Sequence, residues 1–212
     1  MFKLDISTLC LVVGVNLLSI GHPAMSAQEL NLDRAIHPQI LAQLSTQPDR
    51  VSEDEIFEDV GLNRVDKLKQ FLSRGGSPDR YFHAAVNSGA IDCAKLMIDR
   101  GANVNLADDE GVTPLMTSAR VTYRGGIEMT KLLIKKGAKV NARAGKGSTA
   151  LMYAAWGVAN HYENDYVLVV KLLVDNGAKL NIKNQMGSTP LSIAKSGNWK
   201  KIVATLKKAG AK

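Results

Sequence analysis

Aromatic side chains are scarce in this chain, at 5% of 212 residues. The positions of the few Trp and Tyr are therefore informative. Cysteine is scarcer still: Cys10 and Cys93 are the only two, which excludes a disulfide-rich scaffold. Beyond the N-terminus no apolar run approaches the roughly 20 residues a membrane-spanning helix needs, so the mature chain is expected in solution. There is no G-x-S-x-G, no Walker-type loop and no G-x-G-x-x-G, the motifs that would point to hydrolase, nucleotide or dinucleotide chemistry. What remains is 45% hydrophobic and 22% charged, ample for a packed core and incompatible with wholesale disorder. The formal net charge is +7 and the pI about 9.4, a balance that first suggests an anionic partner such as nucleic acid or a lipid surface.

The first 27 residues read as an export signal. Lys3 and the amino terminus are positive, an apolar stretch runs from Ile6 to Ile20, and Pro23-Ala24-Met25-Ser26-Ala27 supplies a small-residue end. That layout is a secretory signal peptide, cleaved after Ser26 or Ala27. The chain is accordingly expected in the periplasm or secreted. Cys10 has no lipobox before it. After cleavage only Cys93 remains, at an apolar helical position, and it is expected to be a buried, inert thiol.

One pattern then repeats along the chain. Gly101-Ala102-Asn103-Val104-Asn105, Gly137-Ala138-Lys139-Val140-Asn141 and Gly177-Ala178-Lys179-Leu180-Asn181 are full copies. Gly75-Gly76-Ser77-Pro78-Asp79 is degenerate, and Gly210-Ala211-Lys212 opens a further one. An amphipathic run precedes each copy. Downstream of the full copies stand Gly111-Val112-Thr113-Pro114-Leu115, Gly147-Ser148-Thr149-Ala150-Leu151 and Gly187-Ser188-Thr189-Pro190-Leu191. This resembles the ankyrin repeat, with its period of about 33 residues and T-P-L-H-x-A signature. The resemblance covers residues 52 to 212. It implies an all-α solenoid of stacked helix-turn-helix units with short β-hairpin-like fingers, in repeats at 52–79, 80–105, 106–141, 142–181 and 182–212. Residues 28–51 are expected to add an N-terminal segment whose amphipathic stretch, Leu32 to Gln47, forms a capping helix.

Local chemistry supports the repeat independently. The glycine after each second helix suits the left-handed C′ position, and the Asn four residues on suits the following turn. Thr113 and Thr189 read as N-caps with Pro at the first helical position. Thr149 is expected to keep the cap without the proline, and Ser52-Glu53-Asp54-Glu55 reads as a capping box. Ser118, Ala119, Ala154, Ala155 and Ala194 would let neighbouring first helices pack closely. The glycine spacings are 26, 36, 40 and 33 residues. The short one removes the turn and finger of one repeat. The two long ones place extra residues between paired helices, around 120–126 and 156–166, and insertions on one face of such arrays often map to the binding face.

No constellation carries catalytic or metal chemistry. His37, His83 and His161 are far apart, and His83 falls at the half-buried structural histidine of the resemblance. Gly145-Lys146-Gly147-Ser148 lacks the upstream glycine of a phosphate loop, and Asp108-Asp109-Glu110-Gly111 lacks calcium-loop spacing, so it reads as a solvated finger tip. No cofactor, no metal and no enzyme activity are expected. Binding is what remains. The concave side of a repeat stack is its contact surface, and binding energy concentrates in Trp, Tyr and Arg. Five of the seven Trp and Tyr lie in 123–166. The candidate contact residues are Met116, Arg120, Tyr123, Arg124, Arg143, Lys146, Met152, Tyr153, Trp156, His161, Tyr162 and Lys183. Met116 and Met152 stand where the signature has His, and either core or contact surface fits them. Tyr123 and Tyr166 fit either packing or exposure.

Three uses follow. The first is a non-catalytic protein-binding module in an exported space. The second is an immunity or accessory protein that neutralises or protects one enzyme. The third is a binder of an anionic surface. Charge distribution separates them. Residues 28–110 carry 9 basic and 15 acidic side chains, and residues 111–212 carry 17 basic and 4 acidic. Sequence order is spatial order in a solenoid, so the +7 hides a gradient. Finger cations Arg143, Lys146 and Lys183 then point to a protein partner with an acidic patch rather than to nucleic acid or membrane, bound by a monomer.

Overall fold

The computed structural model describes residues 52–122, 125–157 and 163–212. The expected signal peptide, the capping segment, and the candidates Tyr123, Arg124, His161 and Tyr162 lie outside the described residues. Ten helices and no strand are found among the residues described. They are α1 (Glu53–Gly61), α2 (Asp66–Ser73), α3 (Phe82–Ser88), α4 (Ile91–Asp99), α5 (Pro114–Arg120), α6 (Gly126–Lys135), α7 (Ala150–Trp156), α8 (Glu163–Asp175), α9 (Pro190–Ser196) and α10 (Lys200–Lys208). Each odd-numbered helix pairs with the even-numbered helix after it. The odd helices also pack on one another in sequence, α1 on α3, α3 on α5, α5 on α7 and α7 on α9.

Helix ends explain the periodicity. Ser52 and Glu55 form the expected reciprocal capping box. Thr113 and Thr189 cap α5 and α9, with Pro114 and Pro190 at the first helical position. Every even helix closes on a glycine with positive φ, Gly75, Gly101, Gly137, Gly177 and Gly210. At Gly137 the geometry is a Schellman motif: the Ala138 amide donates to Leu133 at 2.9 Å and the Gly137 amide to Ile134 at 3.0 Å. The residue after the glycine turns inward, which is why Ala102, Ala138 and Ala178 are buried.

Small residues set the stacking distance. Ser118, Ala119, Ala154, Ala155 and Ala194 are fully buried where the odd helices meet. Leu68, Met97, Leu133, Leu173 and Leu206 fill the layer beneath the even helices. The Thr130 hydroxyl donates to Ser118 at 3.0 Å, satisfying a polar group inside that layer.

Two local expectations need correction. Thr149 occupies the N-cap of α7, but its side chain makes no capping bond, and its buried Oγ1 has no partner. The Asn of the glycine pattern does not serve its own turn. Asn105 Oδ1 accepts from the Lys139 amide at 2.7 Å, and its Nδ2 donates to the Gly137 carbonyl at 3.2 Å. Asn141 does the same one repeat on, with Lys179 and Gly177 at 2.8 Å each. Asn181 accepts from the Lys212 amide, and Asp79 takes the equivalent place by accepting from Asn103. These side chains form a ladder between repeats.

The fingers are hairpin-like loops. Their tips are joined by backbone bonds, Gly145 amide to Glu110 carbonyl at 2.8 Å and Gln185 amide to Lys146 carbonyl at 3.1 Å. At Gly111 (φ +75°) an added Cβ would stand 2.8 Å from the Gly145 amide nitrogen, so the close approach requires glycine. The shortened second repeat has no such finger, since the chain turns at 77–81 and enters α3 directly.

Candidate functional site

A groove of about 970 Å³ runs between the finger tips and the helices α7 and α9. On the finger side it is bordered by Asp109, Glu110, Lys146 and Met186, and on the helix side by Met152, Tyr153, Trp156 and Ile193. Its floor at one end is Trp199. That volume is at the upper end of what a small-molecule pocket encloses.

Trp156 is the last residue of α7 and is 65% exposed, a large value for the largest apolar side chain. Met186, on the facing finger tip, is 75% exposed. The two place exposed apolar surface on the lining of one groove. Tyr153 lies one helical turn before Trp156 and is half-buried. Its hydroxyl pKa is raised by burial; Arg120 opposes the shift, and Asp108 and Glu110 add to it less strongly. Arg120 and the acidic finger tip therefore both act on this tyrosine.

Trp199 is buried, and its indole N–H donates to the Trp156 carbonyl at 2.8 Å. Its ring occupies the space where two Cβ atoms would otherwise stand. An added Cβ would come within 2.6 Å of it at Gly157, whose φ is +53°, and within 2.3 Å at Gly197. Tyr166 packs at a tilt against the same ring, with centroids 6.4 Å apart. The Tyr166 hydroxyl donates to the Arg120 carbonyl at 2.8 Å. Thus two buried aromatics from the following helices hold the C-terminal ends of α5 and α7.

The candidates separate into three kinds of position. Met116 is 0% exposed and packs in the core, so it has no surface to offer a partner. Met152 is 1% exposed and contributes only a buried wall. Arg120 and Lys183 are exposed, and Lys146 is exposed at the groove rim. The Arg143 guanidinium donates to the Lys183 carbonyl at 2.8 Å and lies over Gly147, so it ties two fingers together. The structure brings together Lys146, Met152, Tyr153 and Trp156. It adds Asp109, Glu110, Met186 and Trp199, none of which was among the sequence candidates. Trp199 carried a signal in being one of two tryptophans, but its contact is 43 residues away in sequence.

Among the described residues, no group of three or more His, Cys, Asp or Glu is placed to hold a metal. His83 is half-buried, with Nε2 2.6 Å from the Leu106 carbonyl oxygen, the structural role expected for it. Cys93 is buried, and burial together with Asp92 and Asp59 pushes its thiol pKa up to about 11. A thiol held neutral in this way is a poor nucleophile.

Residues 82–168 match the family model described as "Ankyrin repeats (3 copies)". The fold is an ankyrin-repeat solenoid. Stacked helix pairs continue beyond the matched residues on both sides, as α1–α2 before them and α9–α10 after them. Ankyrin repeats are in general non-catalytic protein-interaction modules, and this one presents its groove where finger tips face first helices. No curated protein matches the chain. Among the described residues no helix is long and apolar enough to cross a membrane.

Proposed function

We propose that this chain is an exported, non-catalytic ankyrin-repeat module that binds one specific protein partner through the groove between its third, fourth and fifth helix pairs. The observation that carries this reading is the exposed Trp156 and the exposed Met186 lining one groove of about 970 Å³. An exposed apolar rim around a concave site marks an interaction surface rather than scattered surface residues. The N-terminal signal supports action in the periplasm or an equivalent exported space. Neutralising or shielding a single enzyme, as an immunity or accessory protein does, is one use of such a site. The basic half of the chain favours an acidic patch on the partner's flank, held by cations outside the groove such as Lys183.

The test uses a partner captured from the exported fraction by the mature chain. Replacing Tyr153 and Trp156 together by alanine should weaken binding at least 100-fold, since anchor aromatics each contribute about 2 kcal/mol or more, while the melting transition stays within a few degrees. Unchanged affinity in a folded double variant removes the groove from consideration.

A further inference from the structure

The charges that border the groove come from both halves of the chain. Residues 111–212 hold 17 basic and 4 acidic side chains. The ionised side chains lining the groove are Lys146 from that half and, from the acidic half before it, Asp109 and Glu110, two acids and one base. Both acids come from the tip of the third finger, where sequence reading alone finds a solvated turn. The turn itself is built by their neighbour. Asp108 Oδ1 accepts from the Glu110 amide at 3.0 Å and from the Val112 amide at 2.8 Å. Asp109 and Glu110 are exposed, and among the described residues neither carboxylate has a hydrogen-bond or ion-pair partner. The nearby cation Arg143 is committed to the Lys183 carbonyl.

The groove is thus graded along its length. At the third finger it offers two carboxylates, which line the same groove as Tyr153. Toward the fourth and fifth helix pairs it offers Trp156, Met186 and Trp199, which are apolar. A cation over an aromatic face with carboxylates beside it is favoured both by the ring quadrupole and by charge. An apolar side chain between Trp156 and Met186 removes from water surface that is otherwise exposed.

Taking the groove to be the binding face, we propose that its occupant is an extended protein segment carrying a lysine or arginine next to a large apolar residue. The apolar side chain seats between Trp156 and Met186, and the cation lies over Tyr153 toward Asp109 and Glu110. The partner's acidic surface, if it meets the basic flank, lies outside the groove. The inserted segment is of the opposite sign.

The test is selection of random twelve-residue peptides displayed on phage against the full mature chain, followed by affinity measurement with synthetic copies of the selected peptides. The expected result is enrichment of Lys or Arg within a few positions of Trp, Phe, Leu or Met. Binding should be lost on Trp156→Ala. It should weaken about tenfold at low salt in the double variant Asp109→Asn, Glu110→Gln, with the difference shrinking as salt is added. Those two substitutions keep the turn, because Asp108 holds it, and an unchanged melting transition confirms this. Lys146→Gln should leave affinity the same or raise it. Selected peptides that are acidic, that need Trp156 and that weaken on Lys146→Gln overturn the proposal while keeping the groove as the binding face. Selection that yields no peptide dependent on Trp156 or Tyr153 overturns the groove reading and the proposal with it.

Discussion

Thr149 and Thr189 occupy the same position in successive repeats and differ in what their hydroxyls do. At Thr189 the Oγ1 accepts from the Ser192 amide at 3.2 Å and the Ser192 hydroxyl accepts in return from the Thr189 amide at 2.9 Å. At Thr149 the hydroxyl is buried and unpartnered, and no proline fixes the first helical position behind it. A buried hydroxyl without a hydrogen bond costs about 1–3 kcal/mol, whereas an N-cap hydroxyl contributes about 1 kcal/mol. Valine has the shape of threonine without the oxygen. Thr149→Val should therefore raise unfolding free energy by about 1 kcal/mol, and Thr189→Val should lower it by about 1 kcal/mol. Urea titrations of the two variants and the parent measure both. A loss at Thr149 as large as that at Thr189 would mean that its hydroxyl has a partner after all, such as an internal water.

At the scale of elements, the Asn ladder does more than its local turn chemistry implied. Asn105 and Asn141 each hold two backbone groups of the next repeat, the carbonyl of the glycine that ends the even helix and the amide two residues on. Those groups lie where helix termini leave the backbone unsatisfied. Asn141→Ala frees the Lys179 amide and the Gly177 carbonyl together. Both are exposed enough to find water, so the expected loss is about 1 kcal/mol rather than the full cost of two buried groups. Asn141→Asp retains the acceptor and should lose less. Chemical denaturation of the pair gives the difference, and equal losses would show that only the Nδ2 donation to Gly177 matters. The helix pairs themselves were legible in the sequence, because caps, glycines and prolines act within a few residues of where they stand. The ladder was not, because the same Asn atoms are able to serve either their own turn or a neighbouring repeat, and spacing alone does not say which. The groove was half legible for a similar reason. Tyr153 and Trp156 could be placed on a first helix by periodicity. Asp109, Glu110, Met186 and Trp199 reach the groove through contacts between repeats, which no local pattern encodes. Thr149 was misread because its cap depends on the rotamer that packing permits, while its residue type fits the pattern.

For the molecule as a whole, charge is distributed against stability. All ion pairs among the described residues involve side chains between Glu53 and Lys136, from Arg80 with Glu53 at one end of the array to Lys136 with Asp99 at 3.1 Å. Residues 137–212 contain 12 basic and 3 acidic side chains. Lys201 meets a neutral partner, Asn164 Oδ1, at 2.8 Å, and its amide donates to Glu163. The C-terminal helix pairs, α10 among them, therefore carry mutual repulsion with little compensation. Repeat arrays gain stability from intrinsic and nearest-neighbour terms, so a local penalty stays local. Screening shortens the range of the repulsion from about 30 Å at 0.01 M salt to about 8 Å at 0.15 M. Adding sodium chloride over that range should slow amide exchange in α10 more than in α3 or α4, by a factor of several. The N-terminal pairs, where opposite charges already meet, should change little or lose slightly. The comparison is made within one molecule, so a general effect of salt on packing would move both ends together. Equal slowing at the two ends, or faster exchange in α10, would show that the basic half is already relieved by its solvent exposure, and the charge gradient would then act on the partner alone.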